Sequence, residues 1–165
     1  MCGYFGSRTF YFLGEDRMRI IALQGAENTG KTATLNQLIE DIKKTDGFVI
    51  EDIRLVNRNN PNNQDRVCWC TYNGIRIGIT TRGDYRGCLH TDFYGIRRRN
   101  FKDRDIVVCA VRTRGGSIDF VNEQVTNPVI IRKRYAAEDR RAEVNILQSA
   151  EILKTIIAFS TELEA

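Results

Sequence analysis

Eight consecutive residues, Gly25 to Thr32, place two glycines, a lysine and a threonine in the spacing Gly-x-x-x-x-Gly-Lys-Thr. The glycines allow the chain to curl so that successive backbone N–H groups point inward, and such a cradle binds anions. Lys31 is then placed to reach the β- and γ-phosphates of a nucleotide, and the Thr32 hydroxyl is suited to ligate Mg²⁺. The spacing therefore predicts phosphate-binding chemistry in this stretch.

The residues on either side of this octet predict the elements that must position it. Ile20 to Leu23 is a short apolar run, typical of a strand that is covered on both faces. After the octet, apolar residues recur at the spacing of one helix face, at Leu35, Leu38, Ile39 and Ile42. A phosphate loop requires a preceding strand and a following helix, so the context disfavours the alternative of a chance glycine-rich turn.

This stretch resembles the P-loop NTPase superfamily. A longer pattern, G-x-x-N-x-G-K-T-x-x-L-N-x-L, looks most like the phosphate loop of translation-factor-type small GTPases, and the resemblance covers residues 18–42. It implies a P-loop NTPase fold, with ATP or GTP and Mg²⁺ as cofactors. It also implies a set of nucleotide-binding residues: Gly25, Ala26, Glu27, Asn28, Thr29, Gly30, Lys31, Thr32 and Ala33.

A metal-binding carboxylate is predicted near the end of a later strand. Two β-rich runs, 67–72 and 75–81, flank Asn73-Gly74, which is the strongest short hairpin signal. The second run leads into Asp84, and an apolar strand that ends near an aspartate is the expected setting for a carboxylate that holds Mg²⁺ through water. Thr32 and Asp84 are therefore the predicted metal ligands. The alternative is a surface aspartate in a turn, in which case Glu51 and Asp52 are the next candidates.

Arginines follow the clearest buried strand of the chain, 105–111. Arg112 and Arg114, together with Lys31 and Asp84, are the predicted catalytic residues, because arginines after strand ends can neutralise a transferring phosphate. Arg82 and Arg86 are further candidates for the same reason. Since ligands bind beyond the carboxyl ends of parallel strands, we expect the phosphate loop, Asp84 and residues 112–116 to meet at one rim of the sheet.

Alternating strands and helices predict a three-layer α/β fold, with a mainly parallel sheet and one antiparallel hairpin strand. The remaining predicted elements are a strand at 48–56, a helix at 89–101, a helix that begins with Ser117 as its N-cap, a strand at 128–135 and a helix at 138–163 with Ile146, Ala150, Leu153 and Ile157 along one face. Residues 1–17 are aromatic without a clean period and are predicted to be an N-terminal extension. Residues 18–165 are the predicted NTP-binding domain.

Two further stretches allow more than one interpretation. The asparagine-rich segment 57–66 is either a mobile switch or substrate-binding loop, or a simple solvated connection. Cys68, Cys70, Cys88 and His90 form C-x-C…C-x-H, and four nitrogen or sulfur ligands suit zinc. The single residue between the first two cysteines is shorter than usual zinc spacing, and cysteine is a common core residue. We therefore expect no zinc.

The composition is that of an ordinary globular protein, with 42% hydrophobic and 28% charged residues and a net charge of +4. No apolar run approaches the length of a membrane span, and no signal peptide is evident. The sequence therefore predicts a cytoplasmic protein without a membrane partner. The mild positive charge suits an anionic partner, and a nucleotide is already one.

The predicted function is Mg²⁺-dependent ATP binding, with NTPase activity or kinase-like transfer to a small-molecule phosphate acceptor. ATP is favoured over GTP because Arg112-Thr113-Arg114-Gly115 stands where GTPases carry N-K-x-D. Three alternatives remain open at this point: a GTPase-like nucleotide switch, a non-enzymatic nucleotide-dependent interaction module, and a nucleic-acid-binding module.

Overall fold

Six strands and four α-helices follow one another along the chain in a computed structural model, which describes residues 18–56, 59, 62–102 and 104–162. The strands are β1 (Arg19–Gln24), β2 (Phe48–Leu55), β3 (Arg66–Tyr72), β4 (Ile75–Thr80), β5 (Ile106–Val111) and β6 (Val129–Arg132). The helices are α1 (Lys31–Lys44), α2 (Arg86–Arg97), α3 (Gly116–Gln124) and α4 (Arg141–Thr161), with a 3₁₀ turn at Glu138–Arg140. The predicted extension, residues 1–17, lies outside the described residues.

The strands form a single sheet in the order β2-β3-β4-β5-β1-β6. The pairs β1–β5, β1–β6 and β4–β5 are parallel, whereas β3 is antiparallel to both of its neighbours. Asn73 and Gly74 join β3 to β4 with positive φ angles of 50° and 74°, the conformation for which Asn-Gly is favoured. The predicted mainly parallel sheet with one antiparallel hairpin strand is confirmed.

The core lies on both faces of this sheet. One buried cluster joins the sheet to α1 and α4, and a second joins its other face to α2 and α3. Every residue of β5 is buried, because this strand is central and helices cover both of its faces. The predicted three layers of helices, sheet and helices are therefore present. None of the described helices is long and apolar enough to cross a membrane.

The face of α4 that packs against the domain differs from the predicted one. Ile146 and Ala150, both placed on the predicted apolar face, are exposed, whereas Gln148 and Ser149 are fully buried. The Gln148 side chain donates to the Arg132 carbonyl (2.8 Å) and accepts from the Arg134 N–H, and the Ser149 hydroxyl donates to the Asp41 carboxylate of α1. Hydrogen-bond partners of this kind allow polar side chains to be buried.

Several predicted boundaries also shift. The strand predicted at 128–135 spans only Val129–Arg132, and the helix predicted at 89–101 begins at Arg86 and ends at Arg97. Ser117 is not an N-cap, because α3 starts one residue earlier, after Gly115. The Ser117 hydroxyl instead accepts a hydrogen bond from the Arg112 N–H at 2.9 Å and so fixes the start of the 112–116 loop.

Candidate phosphate-binding site

The predicted phosphate loop connects the end of β1 to the start of α1. The Gly25 N–H donates to the Val111 carbonyl at the end of β5 (3.1 Å), and the Thr29 hydroxyl donates to the Ala26 carbonyl (2.8 Å). Asn28 adopts a positive φ of 58°, which asparagine tolerates better than most residues. α1 begins at Lys31, and the first N–H groups of a helix have no partner within it, so they remain available to an anion.

The Lys31 ammonium lies within this loop. Its side chain is buried, and Nζ donates to the carbonyl oxygens of Gly25 (2.9 Å) and Ala26 (2.6 Å). Burial lowers the pKa of Lys31, and the negative charge of Asp84 acts in the opposite direction. The lysine is therefore held by backbone acceptors at the place where the sequence predicts a phosphate.

A cleft of about 460 Å³ opens beside the loop. A volume of this size is within the usual range of small-molecule sites. Its walls come from the phosphate loop, from the segment before β3 and from the loop after β4, with one contribution from β5: Asn28 to Ala33, Asn62 to Asp65, Thr81, Gly83, Asp84 and Ala110. Residues 62–65 of the asparagine-rich segment thus form one wall of the cleft.

Asp65 is a residue of this cleft that the sequence analysis did not identify. Its Oδ1 lies 3.4 Å from the Thr32 hydroxyl and 3.4 Å from the Thr81 hydroxyl. Burial raises the pKa of the Asp65 carboxyl, and the negative charge of Asp84 acts in the same direction. One signal in the sequence could have identified Asp65. Because β3 runs antiparallel to the other strands, it starts at the rim where they end, so the residue before β3 lies beside the predicted phosphate loop.

Arg112 lies close to Asp84, which lines the cleft. Arg112 Nη2 lies 3.4 Å from Glu27 Oε1 of the phosphate loop and 4.0 Å from Asp84 Oδ1. The structure therefore brings together the three loops that follow β1, β4 and β5. Arg114 is exposed on the same loop as Arg112. The Asp84 loop presses against β5, since a Cβ atom at Gly83 would lie 1.7 Å from the Ala110 carbonyl oxygen.

In the structure, Arg82 and Arg86 form ion pairs with carboxylates of the protein. The Arg82 guanidinium donates to both carboxylate oxygens of Asp92 (2.7 and 2.6 Å), and the Thr80 hydroxyl donates to the same carboxylate (2.6 Å). Arg86 forms an exposed ion pair with Glu123 on α3. Both arginines fasten α2 to its neighbours, and the hypothesis that they bind phosphate stays a prediction.

Replacing Asp92 with alanine is expected to lower the free energy of unfolding by about 3 kcal/mol, because it leaves the Arg82 charge partly buried without a counterion. Denaturant unfolding followed by circular dichroism measures this loss. Glu123→Ala is the matched control, since it breaks the exposed pair with Arg86 and should cost far less. Equal losses in the two variants would contradict the structural role of the Arg82–Asp92 pair.

The cysteines and the histidine of the zinc alternative do not share one location. Cys68 and Cys70 lie in the core between the sheet and α1 and α4, whereas Cys88 lies in the core on the opposite face. His90 is exposed on α2, with its ring 6.1 Å from that of Phe120. Among residues 18–56, 59, 62–102 and 104–162, no group of three or more His, Cys, Asp or Glu side chains is placed to hold a metal ion.

Comparison of the chain with protein-family models, with curated proteins and with solved structures gave no match. The likeness to P-loop NTPases therefore depends on the residues of the phosphate loop and on the elements and cleft around them.

Proposed function

We propose that this chain is a Mg²⁺-dependent P-loop protein that binds ATP and hydrolyses or transfers its γ-phosphate. The proposal is supported by one observation: the loop predicted to bind phosphate, the Lys31 ammonium, the Thr32 hydroxyl and two carboxylates lie around one cleft. A phosphate-sized anion would receive N–H donors from the loop and positive charge from Lys31 and from the start of α1.

The side chains of the cleft fit a magnesium ion. Thr32, Asp65 and Asp84 present oxygen atoms, which are the ligands that Mg²⁺ prefers, and Mg²⁺ usually needs only one or two carboxylates besides nucleotide phosphates. Thr32 with Asp84 or Asp65 would hold the ion, which when bound would neutralise charge on the β- and γ-phosphates. Arg112, already within reach of two carboxylates, would supply further positive charge to the γ-phosphate, with Arg114 beside it.

A nucleotide-dependent switch is the second candidate function. It is supported by the position of residues 62–65, which form a wall of the cleft and would therefore respond to a bound γ-phosphate. ATP is preferred to GTP in both proposals, because residues 112–115 lack the lysine and the aspartate of N-K-x-D. Hydrolysis or transfer of the γ-phosphate would indicate the first function, and nucleotide binding without turnover would indicate the second.

The test is a thermal-shift measurement with each nucleoside triphosphate, with and without Mg²⁺. A nucleotide at a hundred times its dissociation constant should stabilise the folded state by about 2.7 kcal/mol, and ATP with Mg²⁺ should give the largest shift. Phosphate release with ATP, followed by a screen of small-molecule acceptors, then separates hydrolysis from transfer. A melting temperature that no nucleotide changes would overturn the proposal.

A further inference from the structure

We infer that Asp65, together with Thr32, forms the protein's side of the metal site, and that Asp84 contributes less to it. This role rests on the proposed nucleotide binding, and the sequence analysis had predicted it for Asp84. The distances between oxygen atoms of the cleft support this assignment. Asp65 Oδ1 lies 3.4 Å from the hydroxyl of Thr32, the phosphate-loop side chain suited to the metal.

Four oxygen atoms of Thr32, Asp65 and Thr81 lie close together here. The Thr32 hydroxyl lies 3.4 Å from the Asp65 carboxylate and 3.3 Å from the Thr81 carbonyl oxygen, and the Thr81 hydroxyl lies 3.4 Å from the same carboxylate. Thr81 is itself fixed across the hairpin, where its hydroxyl accepts from the Arg66 N–H at 2.9 Å. Thr81, directly after β4, thus stands where the sequence analysis expected a carboxylate, and the carboxylate comes from Asp65, directly before β3.

The backbone around Asp65 is tightly held. Its N–H donates to the Asn63 side chain (2.9 Å), and its carbonyl accepts from the Val56 N–H (2.9 Å). The adjacent Gln64 carbonyl accepts from the side chain of Asn36, one turn after Thr32 on α1 (3.0 Å). These contacts link Asp65 to the helix that carries Thr32, so the two side chains keep a fixed position relative to each other. A preorganised pair of this kind is what a metal site requires.

The other carboxylates named by the sequence are less well placed for a metal beside Thr32. The Asp84 side chain is 59% exposed, and it forms an ion pair with Arg112. Asp52 accepts from Arg54 and Arg99, each at 2.7 Å, on strand β2. Asp52 is therefore already paired with two arginines, and it is not among the residues that line the cleft.

The experiment measures metal affinity rather than turnover. The full chain is saturated with a non-hydrolysable ATP analogue, and Mn²⁺ is titrated in and followed by electron paramagnetic resonance. Asp65→Asn is compared with Asp84→Asn, which removes the same charge from the same cleft. We expect Asp65→Asn to weaken Mn²⁺ binding by about 10- to 100-fold and Asp84→Asn to weaken it clearly less.

Nucleotide affinity in the presence of EDTA is measured for all three proteins, because the phosphate loop should supply it without metal. A variant that binds the nucleotide in EDTA with wild-type affinity has a folded cleft. If Asp65→Asn has a clearly lower melting temperature than wild type, Asp65→Ser is used in its place. If Mn²⁺ affinity in the Asp65 variant stays within twofold of wild type, or falls no further than in Asp84→Asn, the inference is overturned while nucleotide binding stands. Absence of nucleotide binding by the wild type would overturn both.

Discussion

Lys31→Ala is expected to weaken binding of Mg·ATP by about 100-fold or more, because the variant loses the only lysine inside the phosphate loop. Hydrogen bonds to charged groups are worth about 1.5–3 kcal/mol each, and the ammonium is placed to reach two phosphates. In the structure its Nζ already donates to Gly25 and Ala26 at the base of the loop, so it needs only a short movement to exchange these acceptors for phosphate oxygens.

Isothermal titration calorimetry with Mg·ATP measures the effect. Lys44→Ala is the matched control, because it removes the same charge from the exposed last turn of the same helix and should bind like wild type. Circular dichroism should show that both variants fold, since the Lys31 charge is not part of the apolar core. A Lys31→Ala protein that binds Mg·ATP within twofold of wild type would refute the phosphate-loop assignment.

Gly83→Ala is expected to lower the free energy of unfolding by about 3 kcal/mol or more, because the new methyl group would overlap the backbone of β5. The ideal Cβ position lies 1.7 Å from the Ala110 carbonyl oxygen and 2.3 Å from its carbonyl carbon. β5 is buried along its whole length and cannot move aside without disturbing both cores. The loop that carries Asp84 must therefore be displaced, and nucleotide-dependent stabilisation should fall with it.

Denaturant unfolding with and without Mg·ATP measures both effects. Gly95→Ala is the control, since a Cβ atom at that position within α2 meets nothing within 4 Å. Alanine is the better helix former, so this substitution should raise stability by about 0.5–1 kcal/mol. If Gly83→Ala is as stable as wild type, the close approach of the Asp84 loop to β5 is not a feature of the protein in solution.

The parts of the site that could be predicted are those encoded by neighbouring residues. Gly25 to Thr32 specify a loop through their own conformational preferences, and the apolar spacing after Lys31 specifies a helix. Asn73-Gly74 determines a tight hairpin, because both positions accept positive φ. The meeting of three loops at one rim was also predictable, since the carboxyl ends of parallel strands lie together.

The local sequence does not mark Asp65; only its position before the antiparallel strand β3 could have placed it at this rim. It lies in a polar segment without periodicity, and its role depends on contacts with Thr32, 33 positions away, and with Thr81, 16 positions away. Neither contact leaves a pattern in the local sequence. The pairing of Arg82 with Asp92 was missed for a related reason, because a basic residue after a strand suits a phosphate and a structural carboxylate equally well.

The order of strands and helices, the loop between β1 and α1 and the antiparallel hairpin could be read from the sequence, because they depend on the preferences of residues close together in the chain. Contacts between distant segments determine which charged side chains line the cleft and which form ion pairs that hold helices in place. They also determine that α4 buries Gln148 and Ser149 rather than Ile146 and Ala150, since the partners that satisfy those polar groups come from β6, the segment after it and α1. Contacts between distant segments set these outcomes, and hydrophobic periodicity does not report them.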